Sequence, residues 1–348
     1  MVTIFNKLQE HLNQKLPFVI YNKPNDDKLI GIFQKNDNLN LAADFDEKGF
    51  VFAPFEGDEI VLIPESNSEI LTPDFELTDE ITSSNADFPQ NETSRTAHEN
   101  LIQKGIDAIN KGLFNKIVLS RKEVIDYPDL DLTALFKKLL NTYPTAFTYC
   151  WFHPKVGLWL GAFSERLLKI ENNTLHTMAL AGTQPFMGSE TVIWQQKEIE
   201  EQHFVTDFIL ENLKDKVSET QVSKPYTIKA GNLLHIKTDI EGVLDENSDL
   251  KQLITVLHPT PAVCGFPKFE AKKFILENEN YNREYYSGFL GELNKNNVTD
   301  LFVNLRCMQI KNKQVHLYIG GGITKDSVPE KEWLETVNKS MTMKKILF

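Results

Sequence analysis

The sequence is poor in cysteine. Only three of its 348 residues are Cys (Cys150, Cys264 and Cys307), and no CxxC spacing occurs. So few, so scattered, they exclude a disulfide framework and a zinc ribbon. No stretch approaches 18 consecutive apolar residues, which excludes the pattern of a membrane-spanning helix. The opening MVTIFNKLQEHLNQKLPFVIYNKP has no run of small apolar residues and no cleavage-like site. It predicts a mixed helix rather than a secretion leader. The eight His show no HExxH spacing, and neither a P-loop nor GxGxxG is present. Low-complexity segments and short repeats are absent as well. Positive charge is scarce: 37 Lys and Arg against 49 Asp and Glu leave a net charge of −12. That balance argues against a nucleic-acid partner, which requires basic patches to displace counterions. The expectation is a cytoplasmic protein with no membrane or nucleic-acid partner. It is also expected to be a monomer, because no exposed heptad or long apolar stripe stands out.

What is present is ample core material. Hydrophobic residues make up 41% of the chain, and 23 residues are Phe. Residues 1–80 read as strands, from LIGIFQK to the runs around VFAPF and EIVLI, with turn signals between them. The polar segment 80–95 reads as a surface loop. From Ser94 a helix is predicted, with Leu101, Ile102, Ile106 and Ile109 on one face and Gly112 as its cap. A strand NKIVLSRKEVI, a helix ending near Pro144 and four strands follow. Lys197–Leu213 predicts a strong helix, ITVLHPTPAVCGFP an apolar loop, and Phe269–Asn278 a short helix. Three strands and a helix over Glu330–Met343 close the chain. Consecutive strands joined by short turns predict an α+β fold with largely antiparallel sheets.

Several residues break the apolar pattern. Glu201 lies on the helix face formed by Phe204, Val205 and Phe208. A carboxylate there costs several kcal/mol unless a cation compensates it, so it is an ion pair at the core's rim, a metal ligand or a catalytic acid. On the last helix, Glu332, Glu335 and Lys339 stand opposite an apolar stripe of Trp333, Leu334, Val337 and Met341. They read as a solvated face unless a cleft lies there. The run Gly320-Gly321-Gly322 permits close backbone approach and could cradle an anion, or could simply make a tight turn. Lys116 and Arg306 sit in strand patterns. A partly desolvated lysine can serve as a base, and an arginine suits a bidentate carboxylate contact, but an edge-strand gatekeeper lysine and a structural ion pair explain them equally well. His258 lies in a Pro-flanked loop of the kind that frames pockets, and reads equally as a buried, hydrogen-bonded histidine or as a ligand contact.

In order, KIVLSR (116–121), SERLL (164–168), ALAGT (179–183), KEIEEQHFV (197–205), LHPTPAVCGFP (257–267), ENYNREYYSGFLG (279–291), LRC (305–307), GGGIT (320–324) and PEKEWLETVNK (329–339) resemble the chorismate-binding enzymes. That family includes isochorismate and salicylate synthases, anthranilate synthase component I and aminodeoxychorismate synthase component I. The resemblance covers about 95–340. It implies one large domain, a layered α/β sandwich of two similar halves around a single site. Residues 1–93 would be a variable part and 94–348 the chorismate-binding catalytic region. It also implies Mg²⁺ held by Glu201 and Glu335, with Glu332 as a further acid nearby. Contacts to the substrate chorismate would come from Gly182, Thr183, His258, Arg306, Gly320, Gly322 and Lys339.

Lys116 discriminates within the family. Members that add water at C2 of chorismate carry a lysine there, whereas ammonia-using members usually carry glutamine or another non-basic residue. The chemistry agrees, because water is a poor nucleophile and needs a base. The departing 4-hydroxyl needs an acid, and Glu165 matches the family's acid, although Phe163-Ser164 stands where Thr-Pro is usual. The implied reaction is that of an isochorismate synthase, an isomerase feeding menaquinone or siderophore synthesis. The runner-up is a salicylate synthase, which also eliminates pyruvate; Val263 and Tyr286 occupy pocket positions that bear on that second step.

Overall fold

The computed structural model describes residues 3–76, 91–230, 233–245 and 248–348. Two large sheets, every pairing antiparallel, pack face to face. One has nine strands. Its middle runs from Lys116–Asp126 through Gln314–Ile323, Cys307–Lys311, Gly157–Phe163 and Phe147–His153 to Phe18–Asn22. In the other, a ten-stranded sheet, Leu233–Leu244, Thr174–Pro185, Arg166–Glu171, Val298–Val303, Phe289–Lys295 and Gly49–Ala53 lie side by side.

Alternating side chains make the two inner faces aromatic. Tyr21, Phe147, Tyr149, Trp151 and Trp159 of the first sheet meet Phe50, Phe52 and Phe302 of the second. The Phe147 and Phe302 rings lie 4.4 Å apart, and Phe52 meets Trp151 edge-on at 4.8 Å. Phe50, Phe52, Phe147, Phe163 and Phe302 fix the spacing of the sheets.

Helices cover the outer faces. Ile4–Gln14, Leu132–Thr142 and Pro329–Leu347 seal the first sheet. Gln196–Leu213 and Leu250–Leu257 seal the second. Glu92–Asn110 and Lys268–Asn278 close the first sheet's end at Lys116–Asp126. The N-terminal segment is woven into both sheets: Phe18–Asn22 and Leu29–Gln34 belong to the first, Gly49–Ala53 and Val61–Pro64 to the second.

Some elements depart from the sequence reading. The apolar stretch before His258 is partly helix. Leu250, Leu253, Ile254 and Leu257 recur at helical spacing, and Asp249 caps the first turn by accepting a hydrogen bond from Lys251 N–H. The first long helix begins at Glu92, capped by the Asn91 side chain, so the end of the segment expected as a loop is helical. The rest of that loop lies mostly outside the described residues. Strands Val217–Val222 and Tyr226–Ala230 carry mostly exposed side chains. They lack the apolar alternation that would mark them in a sequence. LFVNLRCMQI is not one strand. Val298–Val303 ends in the second sheet and Cys307–Lys311 begins in the first, with Arg306 at the crossing, φ +44°. The glycine triplet is not a turn either, since Gly320, Gly321 and Gly322 pair with Ser120, Leu119 and Val118 inside the sheet.

Candidate active site

A cavity opens between the sheets where the glycine strand outruns its neighbour. Cys307–Lys311 pairs with that strand no further than Leu317. The triplet's other edge, beside Lys116–Asp126, stays paired. Lining the cavity are Lys116, Glu165, Gly182, Thr183, Glu201, Arg306, Gly320, Gly322, Glu335 and Lys339, ten of the twelve predicted site residues.

Lys116 opens its strand and is only 1% exposed. Its Nζ lies 3.0 Å from Glu201 Oε1. Glu201 projects from the helix Gln196–Leu213. Burial works against its charged form, but Lys116 and Lys197 overcome that, and its pKa is lowered. The helix oddity is therefore an ion pair inside a cavity. Gly322 makes the pairing possible, because a Cβ there would fall 1.9 Å from Glu201 Oε1.

The last helix presents a buried charged face, not a solvated one. Glu332 is 2% exposed and Lys339 9%, while Leu334 of the apolar stripe is half exposed. Lys339 Nζ contacts Glu335 Oε1 at 2.5 Å and donates to Gly320 O at 3.1 Å. Lys197 Nζ contacts Glu332 Oε1 at 2.5 Å. Burial raises the pKa of Glu332 although Lys197 opposes it. Glu332 stands just behind the lining residues.

Glu165 sits between strands Gly157–Phe163 and Arg166–Glu171. Burial pushes its carboxyl up to about 7, against the pull of Arg306, Lys116 and Lys339. Arg306 stands beside it, half-buried, and its desolvation in the cavity lowers its pKa. At Gly182 the register of Thr174–Pro185 slips, and φ is +72°. Such a bulge re-aims side chains next to a site.

His258 is the predicted residue that stands apart. It does not line the cavity; its Nε2 bonds Ser287 O at 3.0 Å, and burial lowers its pKa to about 4. His235 lines the cavity instead, a residue the sequence reading missed. Its Nδ1 donates to Gly182 O at 2.8 Å and lies 3.3 Å from Thr183 Oγ1. Burial, aided by Arg306, holds its pKa near 3. With Nδ1 protonated, Nε2 is left as an acceptor. Its position in an ordinary strand pattern offered no signal. Tyr286 and Val263 line the cavity, as do Tyr143 and Leu305. The Tyr286 hydroxyl fits only because residue 320 is Gly; a Cβ there would lie 2.7 Å from it.

The family model described as "Chorismate binding enzyme" matches residues 63–348. The chain belongs to the chorismate-binding enzyme family. Isochorismate synthase EntC of Escherichia coli K12 is 29% identical over 262 residues, which is 72% of this chain and 66% of that relative. Anthranilate synthase component 1 of Thermococcus kodakarensis is 27% identical over 264 residues, 71% of this chain and 59% of the relative. The match thus spans no more than about two thirds of these relatives' length. A solved structure of DhbC from Bacillus anthracis superposes with a TM-score of 0.82 at 23% identity, covering 99% of both chains. The chain therefore has the family's α+β fold, two antiparallel sheets between helices. No helix among the described residues is long and apolar enough to cross a membrane.

The donor set bears on a metal. Among the described residues no three His, Cys, Asp or Glu side chains close on one point. Yet Glu335 Oε1 and Glu332 Oε2 lie within 3.6 and 3.9 Å of the point where a Gly321 Cβ would stand, and Glu201 reaches the corresponding point at Gly322. Glu332 and Glu335 thus approach the strand at Gly321 and Glu201 approaches it at Gly322; their carboxylate oxygens are the donors a hard divalent cation takes. Each carboxylate is held by a lysine: Glu201 by Lys116, Glu332 by Lys197, Glu335 by Lys339.

Proposed function

We propose that the protein is an isochorismate synthase, an isomerase that adds water at C2 of chorismate and expels the 4-hydroxyl reversibly. The observation that carries this reading is one cavity holding Lys116 as a base and, in Glu165, a carboxyl still protonated near neutral pH. A hydroxyl exchanged between two ring carbons requires both. The isochorismate synthase among the relatives supports the reading.

Arg306 and Lys339 bind carboxylates of the substrate, and the guanidinium can do so bidentately. Lys116, having first released its own ammonium proton to solvent, takes a proton from water as the oxygen attacks C2. Glu165 gives its proton to the departing C4 oxygen while the ring double bonds shift. In the reverse direction the two exchange roles. Fixed charges in a closed cavity and near-attack placement supply most of the acceleration. Glu201 and Glu335 would hold Mg²⁺, with Glu332 beside them. The chemistry the ion supplies is charge, neutralising a substrate carboxylate.

The test is incubation of purified protein with chorismate and Mg²⁺, with products identified by chromatography. Isochorismate alone is expected. Salicylate with pyruvate would move the protein to the synthases that eliminate, and an aminated product with ammonium salt would remove Lys116 as the base. No product would overturn the reading.

A further inference from the structure

We propose that Arg283 and Glu279 are positioning residues for Lys116. The inference rests on the reading of Lys116 as the base. Both lie in the stretch 279–283, and both are buried. The mechanism above uses neither.

Their contacts form one connected system. Glu279 Oε1 accepts from Ser120 N–H at 2.7 Å, from Ser120 Oγ at 2.8 Å and from Arg283 Nη2 at 2.6 Å. Arg283 Nε donates to Glu279 Oε2 at 2.8 Å. Nη2 also donates to Val118 O at 2.7 Å, and Nη1 to Val263 O at 2.9 Å. The guanidinium lies 4.5 Å from the centre of the Phe55 ring.

These partners are the edge groups of one strand. Lys116–Asp126 begins with a strand neighbour on this side, since Phe266 pairs with Lys116 and Gly265 with Ile117. Val118 N–H still finds Cys264 O at 2.8 Å. Beyond that point the neighbouring chain leaves. The next two edge groups, Val118 C=O and Ser120 N–H, are taken by Arg283 and Glu279. The buried ion pair replaces the missing strand, because unpaired backbone groups there would be costly. Through Val263 it also fixes the wall that diverges. Val118, Val263 and Lys116 line the same cavity, so the pair sets both the strand that delivers the lysine and the surface facing it.

The residue types follow from the task. Only a planar guanidinium can serve two carbonyls and a carboxylate in one plane. A lysine retains the charge and loses the fork. Arg283→Lys therefore tests position apart from charge. Its kcat should fall about tenfold or more, because a shift of about 1 Å can cost on the order of a hundredfold. Its KM should stay within about threefold, because Arg306 and Lys339 are untouched. Glu279→Gln keeps an acceptor for Ser120 and should show the same split more weakly; it carries the test should Arg283→Lys fail to fold. The second readout does not depend on turnover. Lysines of the unliganded protein are acylated briefly and mapped by peptide mass. In the variants the rate at Lys116 should change, and the rate at Lys339 should not.

Unchanged labelling of Lys116 overturns the proposal, whatever happens to turnover. So does a variant whose KM and kcat deteriorate together with no selective change at Lys116. If the wild type makes no isochorismate but labelling at Lys116 still shifts, the positioning stands and the assigned reaction fails.

Discussion

Replacing Glu165 with glutamine keeps the size of a cavity-lining side chain and removes its proton chemistry. The carboxyl is held at about 7 instead of an ordinary 4.5, with burial as the cause. The difference corresponds to about 3 kcal/mol between its protonation states. The folded protein therefore keeps a proton that the unfolded chain releases from about pH 4.5 upward. Wild-type stability should fall across the window from 4.5 to 7 on this account, and glutamine is exempt. Relative to wild type, Glu165→Gln should gain stability through that window and level off above it, by up to about 3 kcal/mol. Turnover should move the other way, down on the order of a hundredfold or more with the loss of a general acid. The wild-type kcat should itself decline above about pH 7 as the acid ionises. Urea unfolding of both proteins at several pH values reads the first effect, and chromatographic assay of isochorismate reads the second. A stability difference that does not widen between about pH 5 and 8 would refute the protonated carboxyl. Turnover within about tenfold of wild type would refute its role as the acid.

Lys116→Gln should abolish product formation in the same assay and leave the circular dichroism spectrum unchanged. Its unfolding free energy, read from urea titration, should drop by about 1–3 kcal/mol, because Glu201 keeps a hydrogen bond but loses its cation. Gly322→Ala should cost most of the activity without a change in substrate chemistry, because its methyl needs the space of Glu201 Oε1; an active Gly322→Ala enzyme would show that Glu201 need not stand there. Chelation with EDTA should stop turnover and added Mg²⁺ restore it, whereas the urea midpoint should shift little. Glu201, Glu332 and Glu335 already have lysine partners, so the fold does not depend on the ion.

Local pattern made much of the fold legible. The helix at Glu92–Asn110 and the strand at Lys116–Asp126 show in periodicity alone, because each buries one face against a core that its own residues build. The edge strands near 217–230 were invisible for the opposite reason, their exposed side chains carrying no alternation. The crossing at Arg306 was hidden because the chain passes between sheets with apolar residues on both sides of the bend. The site shows the same division. Glu201 betrayed itself as a charge on an apolar face. His235 did not, because what makes it a site residue is the bulge at Gly182, which only pairing with Leu233–Leu244 creates. His258 was legible only as one of two things, a buried histidine or a ligand contact, because a Pro-flanked loop can frame a pocket with its histidine turned to the backbone, here to Ser287 O.

Under the reaction proposed above, a chain of net charge −12 must still admit a dianion, and the cavity offers the charges to do so. Before substrate arrives, Lys116, Arg306 and Lys339 face it as cations, and Lys116 gives up its charge only to become the base. Glu201 and Glu335 are each held by a lysine, and Glu165 stays neutral up to about pH 7 because it is buried. The cavity therefore carries one more positive than negative charge while the surface is acidic. The surface charge acts on an approaching anion through water and salt, and is screened beyond about 8 Å at physiological ionic strength. The cavity's charges act at contact, where screening is weak. Raising Glu165 toward neutrality thus does two things at once: it stocks a proton for the leaving oxygen and withholds a negative charge from the place where the substrate's carboxylates must sit. The two functions fail together above pH 7, so the alkaline loss of turnover should appear in kcat/KM as well as in kcat.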